Sequence, residues 1–135
     1  MKRICVLFVA LCLLVSAVPL ASAEQSNDIA LCSDLYINYA KAQLNANGVV
    51  EFYLNLCIFA DSVFVSSCKL QIKNGSTWQD AGYLPVPNVV QQNTCVFYAS
   101  ANYANQLTSG NSYRVVVTYN IDGYTKSYTS NVITY

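Results

Sequence analysis

Val49-Val-Glu-Phe-Tyr-Leu-Asn-Leu-Cys-Ile-Phe59 decides the fold. Its even positions, Val50, Phe52, Leu54, Leu56 and Ile58, are all apolar, and its odd positions include Glu51, Tyr53 and Asn55. Side chains of a strand point alternately to its two faces, so this run presents one apolar face and one that meets water. An apolar sheet face must be covered by a second layer. The run therefore predicts a half-buried strand in an all-β domain.

The pattern continues on both sides. Leu35 to Gln43 reads as a first strand, with Leu35, Ile37 and Tyr39 on one face, and Asn45-Ala46-Asn47-Gly48 after it is turn chemistry. Val65 to Lys73 is a third strand, with Cys68, Leu70 and Ile72 inward and Lys69, Gln71 and Lys73 outward. Asn74-Gly75 is a strong hairpin signal, and Thr77 to Leu84 returns from it. Pro85 and Pro87 break the pattern and predict a crossover loop. Thr94 to Ala101 is a fifth strand. Ser112 to Asn120 is a sixth, with Tyr113, Val115, Val117 and Tyr119 on one side. Asp122-Gly123 is a second hairpin turn, and Tyr124 to Thr134 is the seventh strand. Seven short strands without a helical pattern predict an antiparallel β-sandwich over residues 35–135.

Residues 1–23 read as a signal peptide. Lys2 and Arg3 precede the apolar run Ile4 to Val18, and Ala21-Ser22-Ala23 is a small-residue cleavage site. The mature chain is then expected to start at Glu24, with 24–34 a polar lead-in, and to be secreted or extracellular. The segment after residue 23 carries five basic and seven acidic side chains, a net charge of −2. No basic cluster is present to neutralise phosphates, which argues against nucleic-acid partners. No second apolar stretch is long enough for a helical membrane span.

Four cysteines follow the leader: Cys32, Cys57, Cys68 and Cys95. An even number in a small exported chain predicts two disulfides. The spacings contain no Cys-x-x-Cys pair and the chain has no histidine, which is a poor zinc pattern. Alternating strand directions place all four near one end of the sandwich. That favours Cys32–Cys57 and Cys68–Cys95.

Leu107-Thr-Ser-Gly-Asn-Ser-Tyr113-Arg-Val-Val-Val-Thr-Tyr119 resembles the end of a fibronectin type III domain, an Ig-like sandwich. In that family a Leu precedes a Tyr by six residues, a glycine-bearing turn lies between them, and a Val-rich strand follows. The resemblance implies that the Tyr113 hydroxyl bonds back to the preceding corner. The whole chain is similar to small secreted bacterial proteins of unknown function with sandwich folds. The resemblance implies a fold and no activity.

Absent histidine removes the usual general base near neutral pH and any Ser-His-Asp arrangement. Glu51, Asp61, Asp80 and Asp122, with Asp28 and Asp34 in the lead-in, are the carboxylates from which a glycosidase pair would have to come. Most of them sit at predicted turns, where carboxylates are ordinarily solvated. No cofactor or metal motif is present, and the chain is expected not to be an enzyme.

The excess lies in tyrosine: all eleven follow the leader. Tyrosine suits pleated surfaces, and it also enriches at recognition faces. Tyr124 and Tyr128, which share one face of the last strand, and Tyr36 are the candidate ligand face. Trp78 is expected to cap the core. Asn74-Gly75-Ser76 matches a glycosylation acceptor. The sequence thus predicts a secreted binding module for an extracellular protein or glycan. The alternatives are a carbohydrate-binding or glycan-processing domain and a self-assembling surface protein.

Overall fold

The computed structural model describes residues 37–135. The expected signal peptide, the lead-in, Cys32, Leu35 and Tyr36 lie outside the described residues. Seven strands form one antiparallel sheet: β1 (Ile37–Leu44), β2 (Val49–Asn74), β3 (Thr77–Leu84), β4 (Val90–Asn102), β5 (Ser112–Ile121), β6 (Tyr124–Thr129) and β7 (Ile133–Thr134). One 3-10 turn, Ala104–Gln106, follows β4.

The sequence divides 49–73 into two strands, but the structure has a single strand of 26 residues there. One edge of β2 is covered first by β1, over 50–56, and then by β5, over 63–72. The other edge is covered first by β4, over 49–64, and then by β3, over 68–74. Every other strand but β6 and β7 therefore hangs on β2.

The buried positions of β2 change phase along its length. They are even through Leu56 and Ala60, odd at Val63 and Val65, and even again at Cys68 and Leu70. Register shifts accompany the changes, against β4 between Asn55 and Ala60 and against β5 between Val65 and Ser67. Irregularities of this kind bend a strand and increase its twist. Where the sequence predicts two packed sheets, the seven strands instead form one sheet that curls around its own core. Ile58, expected inward, is 46% exposed because it falls inside the first register shift. Tyr39, expected on one face with Ile37, is exposed beside a shift between the two, and Ala42 and Leu44 are the buried side chains of β1. The single last strand, expected over 124–134, is split into β6 and β7.

Curling brings opposite parts of the sheet into contact. Phe52, Leu54 and Phe97 face Val115, Val117 and Tyr119 within one apolar cluster. The Phe97 and Tyr119 rings meet edge-on at 6.1 Å. Burial of each such side chain stabilises the fold by roughly 1.5–3 kcal/mol. Tyr119 is fully buried, and its hydroxyl donates to the backbone carbonyl of Lys41 on β1 at 2.7 Å.

Polar side chains complete the backbone pairing where strands give out. Between the β1 and β5 partners of β2, Asp122 fills the gap: its carboxylate accepts the N–H groups of Ser62 at 2.7 Å and Asp61 at 3.2 Å. The Asn131 amide pairs both ways with Leu44, donating to its carbonyl at 2.8 Å and accepting its N–H at 2.9 Å. On β4, Thr94 Oγ1 donates to the Val96 carbonyl and accepts the Val96 N–H, while Gln91 Nε2 donates to the Tyr98 carbonyl.

The turns follow their sequence signals. Asp122 and Gly123 both have positive φ, as the two-residue hairpin of that composition requires. Gly48 has φ +80°, and a Cβ there would stand 2.6 Å from the Cα of Ala104. The Tyr113 hydroxyl accepts the Thr108 N–H at 3.0 Å, the corner bond that the resemblance implies.

Tyr119→Phe leaves the Lys41 carbonyl without its buried donor and is expected to destabilise the domain by about 1–3 kcal/mol. Denaturant melts of the two proteins measure this. Asn131→Ala removes two bonds to β1 and is expected to lower the unfolding midpoint by a similar amount.

Candidate ligand-binding face

The outer face of the β1–β2–β4 region is built by strand register. Lys41, Tyr53 and Tyr98 form one row across the three strands, and Tyr39, Asn55 and Val96 form the next. Their neighbours Phe52, Leu54 and Phe97 point into the core, so alternation sends this set outward. The Tyr39 and Tyr53 rings lie 5.8 Å apart. Tyr39 is 52% and Tyr98 53% exposed, while Tyr53 is half-buried between them. Amide groups border the rings, with Asn38 Nδ2 donating to Asn55 Oδ1 at 3.4 Å.

Behind this face stands Tyr119. The carbonyls it approaches, Lys41 at 2.7 Å and Tyr53 at 3.4 Å, belong to residues whose own side chains point outward. The rings are thus carried on a backbone pinned from the core side.

The tyrosines singled out from sequence take other places. Tyr128 packs against the core, its ring edge-on to Tyr119 at 6.0 Å. Tyr124 is partly exposed and lines a small apolar cavity of about 110 Å³ with Leu56, Ile58 and Ile121. Tyr124 and Tyr128 share strand β6, and Tyr36, the third member of the expected face, lies outside the described residues. The Tyr39–Tyr53–Tyr98 group was half legible. Tyr53 is outward by alternation in the sequence, whereas the register shift in β1 that turns Tyr39 outward leaves no local signature.

Trp78 is not among the core residues; it lies on the outer face of β3, with the Arg114 guanidinium 4.4 Å over its ring. Among the described residues, Asp61 and Asp122 are neighbours, with the Asp61 N–H on the Asp122 carboxylate, and Glu51 and Asp80 lie elsewhere. Glu51 lies beside Tyr53 on the outer face, Asp122 is engaged by backbone N–H groups, and Asp80 pairs with Lys69 at 2.9 Å. Bonds from Gln71 and then Lys69 hold the Asp80 carboxyl below its ordinary value. Among the described residues, no cluster of three or more His, Cys, Asp or Glu is placed to hold a metal.

Cys57, Cys68 and Cys95 are free thiols. The expected Cys68–Cys95 bridge is not made. Cys68 registers with Leu84 and Val117, whereas Cys95 lies across from the irregular stretch between Asn55 and Ala60. The two are held at different positions along β2. Cys32, the expected partner of Cys57, lies outside the described residues.

No family model matches the chain, and no curated protein matches it. Among solved structures, the crystal structure of a Br derivative of BhCBM56 overlaps 75% of this chain and 91% of its own, at 15% identity and a TM-score of 0.26. An overlap at that score bears on neither fold nor ligand.

Burial pushes the Cys68 thiol from 9.0 up to about 12 and raises Tyr119 and Tyr103 as well. The folded state therefore holds these protons more tightly than the unfolded chain. The Cys68 contribution to stability is complete below 9.0 and is lost as pH rises through the window from 9.0 to about 12, while those of Tyr119 and Tyr103 begin to be lost only above 10.0. Thermal melts across that range are expected to show a falling midpoint, with a smaller fall for Cys68→Val. With the protein kept reduced near neutral pH, iodoacetamide is expected to label Cys57 readily and Cys68 only after unfolding. Peptide mapping checks both.

Proposed function

We propose that the protein is a secreted, non-catalytic binding module that holds a glycan against the Tyr39–Tyr53–Tyr98 face. The observation that carries this reading is a group of three tyrosines displayed on one outer sheet surface, two of them more than half exposed. A sugar ring has an apolar face of C–H groups and a rim of hydroxyls. Tyrosine offers a flat apolar body with a polar tip and few rotors to fix. The Asn38 and Asn55 amides and the Lys41 and Glu51 side chains stand where rim hydroxyls would need partners.

Non-catalytic action is supported by the absence of histidine from the sequence and by the engagement of the Asp122 and Asp80 carboxylates in backbone and ion-pair bonds. Secretion rests on the leader-like segment at 1–23. The fibronectin type III likeness keeps the support of the Tyr113 corner bond. That likeness carries no activity and does not choose between a glycan and a protein partner.

Affinity electrophoresis through gels containing cellulose derivatives, xylan, mannan or β-1,3-glucan tests the reading. At least one neutral polymer is expected to retard the protein. Tyr98→Ala is expected to weaken that retardation about five- to tenfold, given the worth of one aromatic contact. Tyr98 is exposed, so the variant keeps its fold. Unchanged mobility in every polymer, or retardation indifferent to Tyr98→Ala, overturns the proposal.

A further inference from the structure

The outer face of β3, the second half of β2 and β5 carries a different chemistry. Register places Asp80, Gln71 and Arg114 in one row, with Tyr83 and Lys69 in the row on one side and Trp78 and Lys73 in the row on the other. Arg114 is fixed twice. Its guanidinium lies 4.4 Å over the Trp78 ring, and its Nε donates to Gln71 Oε1 at 2.7 Å. Gln71 is held in turn, its Nε2 donating to Asp80 Oδ1 at 2.8 Å, and Asp80 is held by Lys69 Nζ at 2.9 Å. Three side chains in series, Gln71, Asp80 and Lys69, together with the Trp78 ring thus set the orientation of one guanidinium.

Only the Nε of that guanidinium is engaged by the protein among the described residues; both Nη groups retain their donors. The face holds Lys69, Lys73 and Arg114 against the single carboxylate of Asp80, and that carboxylate is paired with Lys69. The fork geometry of a guanidinium matches a carboxylate bidentately, and a preorganised Arg loses little freedom on binding. Tyr83, 72% exposed, offers a ring on the same face.

We infer that this face is a second binding site, for the carboxylate of an acidic polysaccharide: Arg114 takes the carboxylate, Lys73 adds charge and Tyr83 meets the sugar ring. The choice of a glycan over an acidic peptide rests on the glycan reading above, whereas the carboxylate specificity rests on Arg114 alone.

Binding of the full mature chain to polygalacturonate, to its methyl ester and to polyglutamate, followed by calorimetry, tests the site. Polygalacturonate is expected to bind, to weaken with added salt, and to bind about tenfold more weakly to Arg114→Gln. Arg114→Lys is expected to fall between the two, since it keeps charge without the fork. Lys73→Gln, at an exposed position, is expected to weaken binding several-fold with an unchanged unfolding midpoint. Tyr98→Ala is expected to leave polygalacturonate binding intact. That separates this site from the tyrosine face, because polygalacturonate binding without any neutral-polymer binding removes only the earlier reading. Equal binding of the methyl ester, or indifference to both Arg114→Gln and Lys73→Gln, overturns the carboxylate site. Equal binding of polyglutamate overturns the assignment to a glycan.

Discussion

The bond from the Tyr119 hydroxyl to the Lys41 carbonyl joins the strands paired with the two halves of the bent β2. β5 carries Tyr119, β1 carries Lys41, and β2 runs between them as the shared spine. A buried carbonyl without a donor is costly, and so is a buried phenol without an acceptor. Each group satisfies the other only when the sheet has folded round far enough for them to meet. The Phe97 and Tyr128 rings pack against Tyr119 from β4 and β6, so one side chain reports the closure of four strands. Asp122 and Asn131 solve a related problem at the rim, where curling leaves backbone groups beyond the reach of a neighbouring strand.

This construction separates the packed side of the sheet from its outer side. Core residues carry most of the apolar burial, and the two outer faces are free to differ. One carries tyrosines bordered by amides; the other carries an arginine stacked on tryptophan and braced by a chain of polar contacts. Alternation along β2 makes this possible, because every second residue is relieved of packing duty. Lys41 and Tyr53 show the coupling between layers: their carbonyls face the Tyr119 hydroxyl while their side chains furnish the surface.

Strand content, most turns and the central core were legible in the sequence. Val50, Phe52, Leu54 and Leu56 are inward as their alternation requires, and Tyr113, Val115, Val117 and Tyr119 are all buried. The Asp122-Gly123 hairpin is where its composition puts it. The continuity of β2 was not legible, because Ala60 to Phe64 interrupts the alternation and resembles a connection. It is instead the stretch where the strand changes the phase of its buried face. The same shifts displaced Ile58 and Tyr39 from their expected sides and hid the tyrosine group. The Cys68–Cys95 pairing was not legible either, because the unbroken β2 sets Cys68 beyond the stretch of that strand which Cys95 of β4 faces. Arg114 over Trp78 joins residues far apart in the chain through a register that no local pattern announces.

One rim of the sheet has a bearing on how the protein behaves in a crowd. β4 is 13 residues long and, among the described residues, is paired only along its β2 side. Thr94 and Gln91 turn their own side chains onto the outward backbone groups of Val96 and Tyr98. A neighbouring copy arriving there finds those positions already occupied, and must break internal bonds before it can dock. The rim is thereby blunted at those two residues against edge-to-edge pairing with a second copy.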